Sequence, residues 1–299
     1  MDLWQLQVFC KVIELKSFSK AGQAIRLSQP TVSSHIKDLE TYFGTRLVNR
    51  LSRTVSPTKA GSLLYDYARR LMVLRDKTET AMAEFSGKIT GRLSIGGSTI
   101  PGGYLLPRII GLFTRNYPEV HVSLTVGDTA EIIKKTMAGH IELSVVGAQS
   151  KDKKLHQEPI IRDEMCLVIP PTHKWAQRHD IAITSLMEEP FIVRETGSGT
   201  LQTIEEHLQK DRHPLSDMNI VAEMGSTEAV RQAIKSGVGI SILSRIAVED
   251  DVRTGLLKTL HIRGIDFKRH FYLTVHRHRG LSPLSIAFID FLKKDIKTA

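Results

Sequence analysis

The sequence predicts an α+β chain in three parts, and three observations carry that expectation. The first sixty residues read as short helices, a heptad-spaced helix free of proline runs from Thr58 to about Ser86, and strands alternating with helices fill the remainder. At 299 residues the chain is longer than one typical domain. Hydrophobic residues make up 41% and charged residues 24%, near soluble averages, and no stretch approaches the ~20 apolar residues that span a bilayer. The boundaries expected are 1–58, 59–90 and 91–299.

In the first part, Leu3, Leu6, Phe9, Ile13 and Leu15 recur near helical spacing, and Ser17 or Ser19 can cap a second short helix from Lys20 to Arg26. Leu27-Ser28 turns the chain. Gln29-Pro30 opens a third helix, with Pro30 at its tolerated first position and Ser28 as cap. Val32, Ile36 and Leu39 fall at i, i+4 and i+7 and face inward, leaving Gln29, Thr31, Ser33, Ser34, His35 and Lys37 outward. Thr45–Asn49 and Arg53–Ser56 then read as two extended segments joined by Arg50-Leu51-Ser52, the hairpin of a winged helix.

The long helix carries Ala60, Leu64, Tyr67, Leu71, Leu74, Thr78, Ala81 and Phe85 at alternating steps of four and three. That seam predicts a coiled-coil partner helix over roughly 40 Å at ~1.5 Å per residue. Packing against its own chain is the alternative. Gly87-Lys88-Ile89-Thr90-Gly91 breaks the helix as a hinge. Beyond it, strands are expected at 92–96, 120–126, 143–146, 165–169, 191–194, 220–222 and 239–243 in a mainly parallel sheet. A return strand at 270–276 and a helix at 283–296 close the chain.

The formal charge is +9, and residues 1–90 hold 14 Lys and Arg against 8 Asp and Glu, so +6 of it lies in the first third. A basic excess there suits a part that approaches polyanions. Cys10 and Cys166 lie far apart in apolar runs, which predicts buried, inert thiols and neither a disulfide framework nor a cysteine metal site. Met1-Asp2-Leu3-Trp4-Gln5 has neither the basic start nor the apolar core of a signal peptide, so the cytoplasm is the expected location.

A helix that reads DNA must fit the major groove and show donors and acceptors on one face, held by a partner helix across a tight turn. Residues 18–39 meet those demands. Gln29 can pair bidentately with adenine and sits at the start of the helix; Thr31, Ser33 and Ser34 offer small hydroxyls, and His35 can donate to guanine or phosphate. Lys37, Arg46, Arg50, Arg53 and Lys59 suit phosphates, unless they are solvated surface charges.

The ordered series Ser17-Phe18-Ser19-Lys20-Ala21, Leu27-Ser28-Gln29-Pro30-Thr31-Val32-Ser33, Ile36-Lys37-Asp38-Leu39-Glu40, Phe43-Gly44, Leu47, Arg50 and Pro57-Thr58-Lys59-Ala60-Gly61 resembles the N-terminal signature of the LysR-type transcriptional regulators. Three positions depart from that pattern. Gly22 replaces the usual Ala at about 1 kcal/mol of helix propensity, Val48 replaces a common Phe, and His35 stands where Gln or Arg is more usual. The resemblance implies promoter or operator DNA as partner, RNA polymerase as a further one, a homodimer through the long helix, and a tetramer of two dimers. Ser28, Gln29, Pro30, Thr31, Ser33, Ser34, His35, Lys37, Arg46, Arg50 and Arg53 are the DNA-binding candidates.

Resemblance to the family continues to the C-terminus and implies a two-lobed α/β domain like the type 2 periplasmic binding proteins, with a small-molecule effector between lobes at about 91–163 with 269–299 and 164–268. The residues agree. Gly97-Ser98-Thr99-Ile100-Pro101-Gly102, Gly127-Asp128-Thr129, Glu195-Thr196-Gly197-Ser198-Gly199-Thr200 and Gly225-Ser226-Thr227-Glu228 each combine hydroxyls with glycine before a helix, where unpaired amides attract a carboxylate or other oxyanion. Simple helix capping is the alternative for any single turn. Ser98, Thr99, Ile100, Thr129, Thr196, Ser198, Ser226 and Thr227 are the effector candidates. Leu105-Leu106-Pro107-Arg108, Gly225 to Val230 and Gly237 to Leu243 also look similar to a branch associated with sulfur or selenium metabolism.

Catalytic signatures are missing from the sequence: no Gly-x-Ser-x-Gly, phosphate-loop Gly-Lys-Ser/Thr or His-Glu-x-x-His occurs, so no enzyme and no cofactor is expected. His276-Arg277-His278, read as one face of a strand among arginines, is not expected to hold a metal. A solute-binding transport protein fits neither the N-terminus nor the helix-turn-helix. An architectural DNA protein would not need two hundred residues of α/β domain.

Overall fold

The computed structural model describes residues 1–49, 55–85 and 89–298. They form two compact units, Met1–Lys88 with Ala138–His140, and Ile89–Met137 with Ile141–Ala299.

In the first unit, α1 (Leu3–Leu15) starts on a capping box: the Asp2 carboxylate accepts the Gln5 N–H at 2.7 Å, and Gln5 Oε1 accepts the Asp2 N–H at 3.1 Å. Ser17 rather than Ser19 caps α2 (Phe18–Ile25), accepting from the Lys20 N–H. Arg26 then turns left-handed at φ 57°, and the Leu27 N–H donates to the Gly22 carbonyl at 2.8 Å. That closes the tight turn into α3 (Gln29–Phe43), which ends on Gly44 at φ 63°. β1 (Val48–Asn49) and β2 (Ser56–Pro57) pair antiparallel as the base of the wing. Arg50 and Arg53, expected on that wing, lie outside the described residues, as do Gly87 and Lys88 of the expected hinge.

Leu6, Phe9 and Val12 of α1, Ala21 of α2, and Val32, Ile36 and Leu39 of α3 form the core, with Leu47 and Val48 beneath the wing. α4 (Lys59–Phe85) adds Ala68 and Met72 to it. The side of α4 that carries Tyr67, Leu71 and Leu74 remains 56%, 39% and 58% exposed. The helix therefore does both things the heptad left open: one face packs on its own chain and takes Ala60 and Leu64 of the seam with it, while Tyr67, Leu71 and Leu74 stay exposed among the described residues. Ala81 and Phe85 contribute nothing further here, since their side chains are not among the described ones.

Two glycines are explained by close approach. A Cβ on Gly22 would lie 2.6 Å from the Leu27 carbonyl oxygen, so the residue that looked costly for helix propensity makes room for the turn. Gly61 is tighter still. Thr58 Oγ1 accepts the Gly61 N–H at 3.0 Å and donates to the Arg46 carbonyl at 2.7 Å, drawing the start of α4 onto the wing.

The second unit runs β3 (Gly91–Ser98), a π turn at Pro101–Leu105, α5 (Leu106–Asn116), β4 (Val120–Gly127), α6 (Thr129–Ala138), β5 (Leu143–Val146), β6 (Leu155–Ile169), β7 (Asp180–Ile181), α7 (Ile183–Met187), β8 (Phe191–Arg194), α8 (Gly199–Lys210), β9 (Ile220–Met224), α9 (Thr227–Lys235), β10 (Ser241–Ser244), α10 (Arg245–Arg253), β11 (Lys258–Ile262), β12 (Lys268–His276) and α11 (Pro283–Thr298). The sheet is mixed, not mainly parallel. β4, β3 and β5 are parallel, but β12 joins β5 and β6 antiparallel, and β10 and β11 join β6 antiparallel. β8 and β9 form a parallel pair, tied to the β10 end by a bridge from Phe191 to Ile240.

β6 organises both halves. Residues Leu155 to Glu164 pair with β12, and Met165 to Ile169 pair with β10 and β11. Ten of its fifteen residues precede the strand expected at 165–169, and their hydrogen bonds are completed by a strand more than a hundred residues away. Nor did the sequence show α10 and β11. One half packs Leu93, Ile95, Phe113, Phe271 and Phe288, with the Phe113 and Phe288 rings edge to face at 5.1 Å, and the other packs Leu167, Ile169, Trp175, Phe191 and Ile242. Both cysteines are buried, and burial pushes each thiol up to about 12, as inert thiols require. His276 ends β12 and His278 lies in the following turn, its N–H donating to His276 Nδ1 at 3.2 Å, so the two do not share a strand face.

A Cβ built on Gly61 would lie 1.9 Å from the Leu47 carbonyl oxygen. Gly61→Ala should therefore destabilise the first unit by about 1–3 kcal/mol, although helix propensity alone favours alanine by roughly 1 kcal/mol. Denaturant unfolding followed by Trp4 fluorescence in a Trp175→Phe background measures it; a gain in stability would show that the wing yields freely.

Candidate functional site

α3 is built to expose one face. Its inward residues are fully buried, while Gln29, Pro30, Thr31, Ser34 and Lys37 are exposed, with Thr41 one turn beyond Lys37 on the same side. Ser33 and His35 are half-buried on its flanks, less outward than their spacing suggested. The Ser28 hydroxyl is engaged: it accepts the Thr31 N–H at 3.2 Å and lies 2.7 Å from Thr31 Oγ1, so capping is its evident task. Arg46 and Lys59 are exposed beside the wing. Glu40 Oε1 accepts from the Leu47 and Val48 N–H groups at 2.9 and 3.3 Å and so locks the wing to α3. The exposed face of α3 thus holds an amide, hydroxyls and an ammonium on a rigid rod about as wide as a major groove.

In the second unit, Ser98, Thr99, Ile100, Thr129 and Ser198 come together around one narrow cavity, with Gly147, Gly199, Thr200, Arg269 and Phe271. Its free space is about 10 Å³, enough for roughly one water. Thr129 and Ser198 also line an adjoining open pocket of about 440 Å³, and Thr196 borders that pocket and not the narrow cavity. Ser226 and Thr227 stand apart from both. Ser226 caps α9 by accepting the Ala229 N–H at 3.1 Å, which is the plain structural task weighed for such a serine. Ser198 likewise caps α8 through the Thr200 N–H.

Two arginines absent from the sequence candidates hold these turns. Arg194, at the end of β8 and 2% exposed, donates to Thr227 Oγ1 at 2.7 Å, to Thr99 Oγ1 at 3.3 Å and, at 2.6 and 2.5 Å, to the Glu195 carboxylate. It thereby connects Thr227 to Thr99, which chain distance had hidden. Arg269, at the start of β12, donates through Nε to Asp163 Oδ2 at 2.8 Å and through Nη1 to Thr200 Oγ1 at 3.2 Å. Asp163 also accepts from Ser244 Oγ at 2.7 Å. Burial pushes the Arg269 guanidinium below its ordinary value, against the pull of Asp163. The signal that could have found both is an arginine bordering an otherwise apolar strand, which must be paired if buried.

Comparison with known proteins agrees with this arrangement. Residues 3–62 match the family described as "Bacterial regulatory helix-turn-helix protein, lysR family", and residues 86–297 match "LysR substrate binding domain". The chain is 31% identical over 264 residues to the HTH-type transcriptional regulator CysL of Bacillus subtilis, covering 88% of this chain and 87% of that one. It is 29% identical to the transcriptional activator CmpR of Synechocystis over 97% of this chain and 94% of the relative. Among solved structures, CbnR, a LysR family regulator, superposes with a TM-score of 0.75 at 18% identity over 99% of both chains. The Synechocystis CcmR regulatory domain in complex with 2-PG does so at 0.64 and 29% identity, over 69% of this chain and 97% of that domain. With a helix-turn-helix in the first unit, a two-halved substrate-binding domain in the second, and both family matches spanning nearly the whole length, the chain belongs to the LysR family of DNA-binding transcriptional regulators.

Proposed function

We propose that residues 1–58 read a specific operator through α3, that 59–90 join two copies, and that 91–299 sense a small anionic effector bound among Ser98, Thr99, Ile100, Thr129, Thr196 and Ser198. The observation that carries the reading is the juxtaposition of three separate hydroxyl-bearing turns and the buried Arg269 at one cavity, with the buried Arg194 bonded to Thr99 of its lining. Scattered helix caps have no reason to converge in this way. The CcmR domain, with its 2-PG, supports a small-molecule effector of this kind. Because the narrow cavity holds about one water, binding within it requires the turns to separate, and the ligand shifts the population toward the arrangement it fits better. Ser226 and Thr227 contribute through Arg194.

On DNA, Gln29 is the base-reading residue, helped by Thr31, Ser33, Ser34 and His35. Lys37, Arg46, Arg50 and Arg53 serve phosphates, and Ser28 with Pro30 sets the start of the helix. The exposed seam residues Tyr67, Leu71 and Leu74 on α4 support a homodimer presenting two recognition helices to a two-fold site. Two dimers on one promoter, with RNA polymerase as neighbour, extend the same reading. Its chemistry is regulation in the cytoplasm, with no reaction catalysed.

Selection of bound sequences at several salt concentrations tests the DNA reading. Gln29→Ala should flatten the preference at one base pair by about 1–3 kcal/mol, whereas Lys37→Ala should weaken all sequences alike and lower the salt slope by about 1. Equal loss on every sequence for Gln29→Ala would remove its assigned role. In sedimentation, Leu71→Glu with Leu74→Glu should turn dimer into monomer while helicity persists; a dimer that survives places the contact elsewhere. Saturating 2-PG or another small oxyanion, at about 100 times its Kd, should raise the Tm of the full chain by about 5–10 °C. Thr129→Val should abolish that rise, and an unchanged rise would move the effector away from these turns.

A further inference from the structure

A second pocket, of about 640 Å³, opens at the start of β12 and along α8, and it shares none of the eight effector candidates. Its lining is basic: Lys151, Lys210, Lys268 and Arg269, with His207 and His270. Glu206 is the one carboxylate among its lining residues, and it accepts a hydrogen bond from Gln202 Nε2 at 2.9 Å. Lys268 is paired with Asp266, while Lys151 and Lys210 are exposed. The Thr203 carbonyl, which can only accept, lies 2.9 Å from His207 Nδ1, so that nitrogen carries its proton.

Arg269 supplies the independent observation. Its side chain is 6% exposed, Nε and Nη1 are used by Asp163 and Thr200, and the buried Nη2 has no acceptor among the described residues. Buried donors without a partner are rare, and this one belongs to a guanidinium that borders a pocket whose lining is basic, which suits an anion. The planar fork suits a carboxylate or phosphate oxygen, and the lysines add charge that focuses anions on the pocket.

We propose that this pocket is a second anion site, separate from the turns assigned to the effector, taking a compact oxyanion group of a small metabolite. Arg269 Nη2, buried without a partner in this arrangement, donates to one oxygen once the anion has drawn it into the pocket, and Lys151 and Lys210 neutralise the charge at the rim. Since Arg269 borders both this pocket and the narrow cavity, an anion here bears on the same buried pair with Asp163 that lies where β6 changes neighbours.

The test is calorimetric titration of the full chain with inorganic phosphate and, separately, with citrate, against sodium chloride of matched ionic strength. Saturable binding of either is expected, and the stronger of the two distinguishes a phosphate from a carboxylate ligand. Lys151→Gln with Lys210→Gln, both on the surface, should weaken it about tenfold, and Arg269→Lys should do the same by losing the fork. Thr129→Val should leave it within twofold. If Arg269→Lys does not fold, the surface pair decides. No binding above the chloride control, unchanged affinity in the surface pair, or loss in Thr129→Val alone would overturn the proposal, and the last of these would leave the effector turns as the phosphate site.

Discussion

The second unit depends on the strand β6, which changes its antiparallel partner between Glu164 and Met165. Up to that point its backbone groups are satisfied by β12, and beyond it by β10 and β11. The buried Asp163–Arg269 pair sits in register at this place, 0% and 6% exposed in its side chains. A buried ion pair adds little net stability, yet removing one partner strands the other at a cost of about 3–5 kcal/mol. The pair therefore fixes which residues of β6 and β12 meet, and with them the spacing of the turns.

The first unit depends on a different constraint, the closeness of its backbone at two turns. Gly22 lets α2 meet Leu27, and Gly61 lets α4 meet Leu47. With the Ser28 cap and the Glu40 bonds to the wing, these approaches leave α3 few ways to shift relative to its neighbours. A reading helix gains from this rigidity, because the contacts that discriminate bases are short and directional. On α4, Ala60 and Leu64 join the core of this unit, while Tyr67, Leu71 and Leu74 remain exposed in the single chain.

Local rules made much of this legible. Ser17, Ser28 and Gly44 mark helix ends through hydrogen bonds to residues within a few positions, and the buried Val32, Ile36 and Leu39 follow from a 3.6-residue period. The same holds for the turns around Ser98, Thr129 and Ser198, where glycine and hydroxyls before a helix have local meaning. Residues 155–164 were illegible for the opposite reason. Their polar sequence becomes a strand only because β12 completes its ladder, and no local pattern encodes a partner so distant.

By itself, then, the sequence determined the helix-turn-helix, the heptad helix and the hydroxyl-rich turns, all of which rest on contacts short in chain distance. The tertiary structure alone decided that the sheet is mixed, that Arg194 joins Thr227 to Thr99, and that Arg269 stands buried beside Asp163 with one donor unused. Those facts depend on which distant strands become neighbours. Burial, which turns an ordinary arginine into a costly and specific one, exists only after they have met.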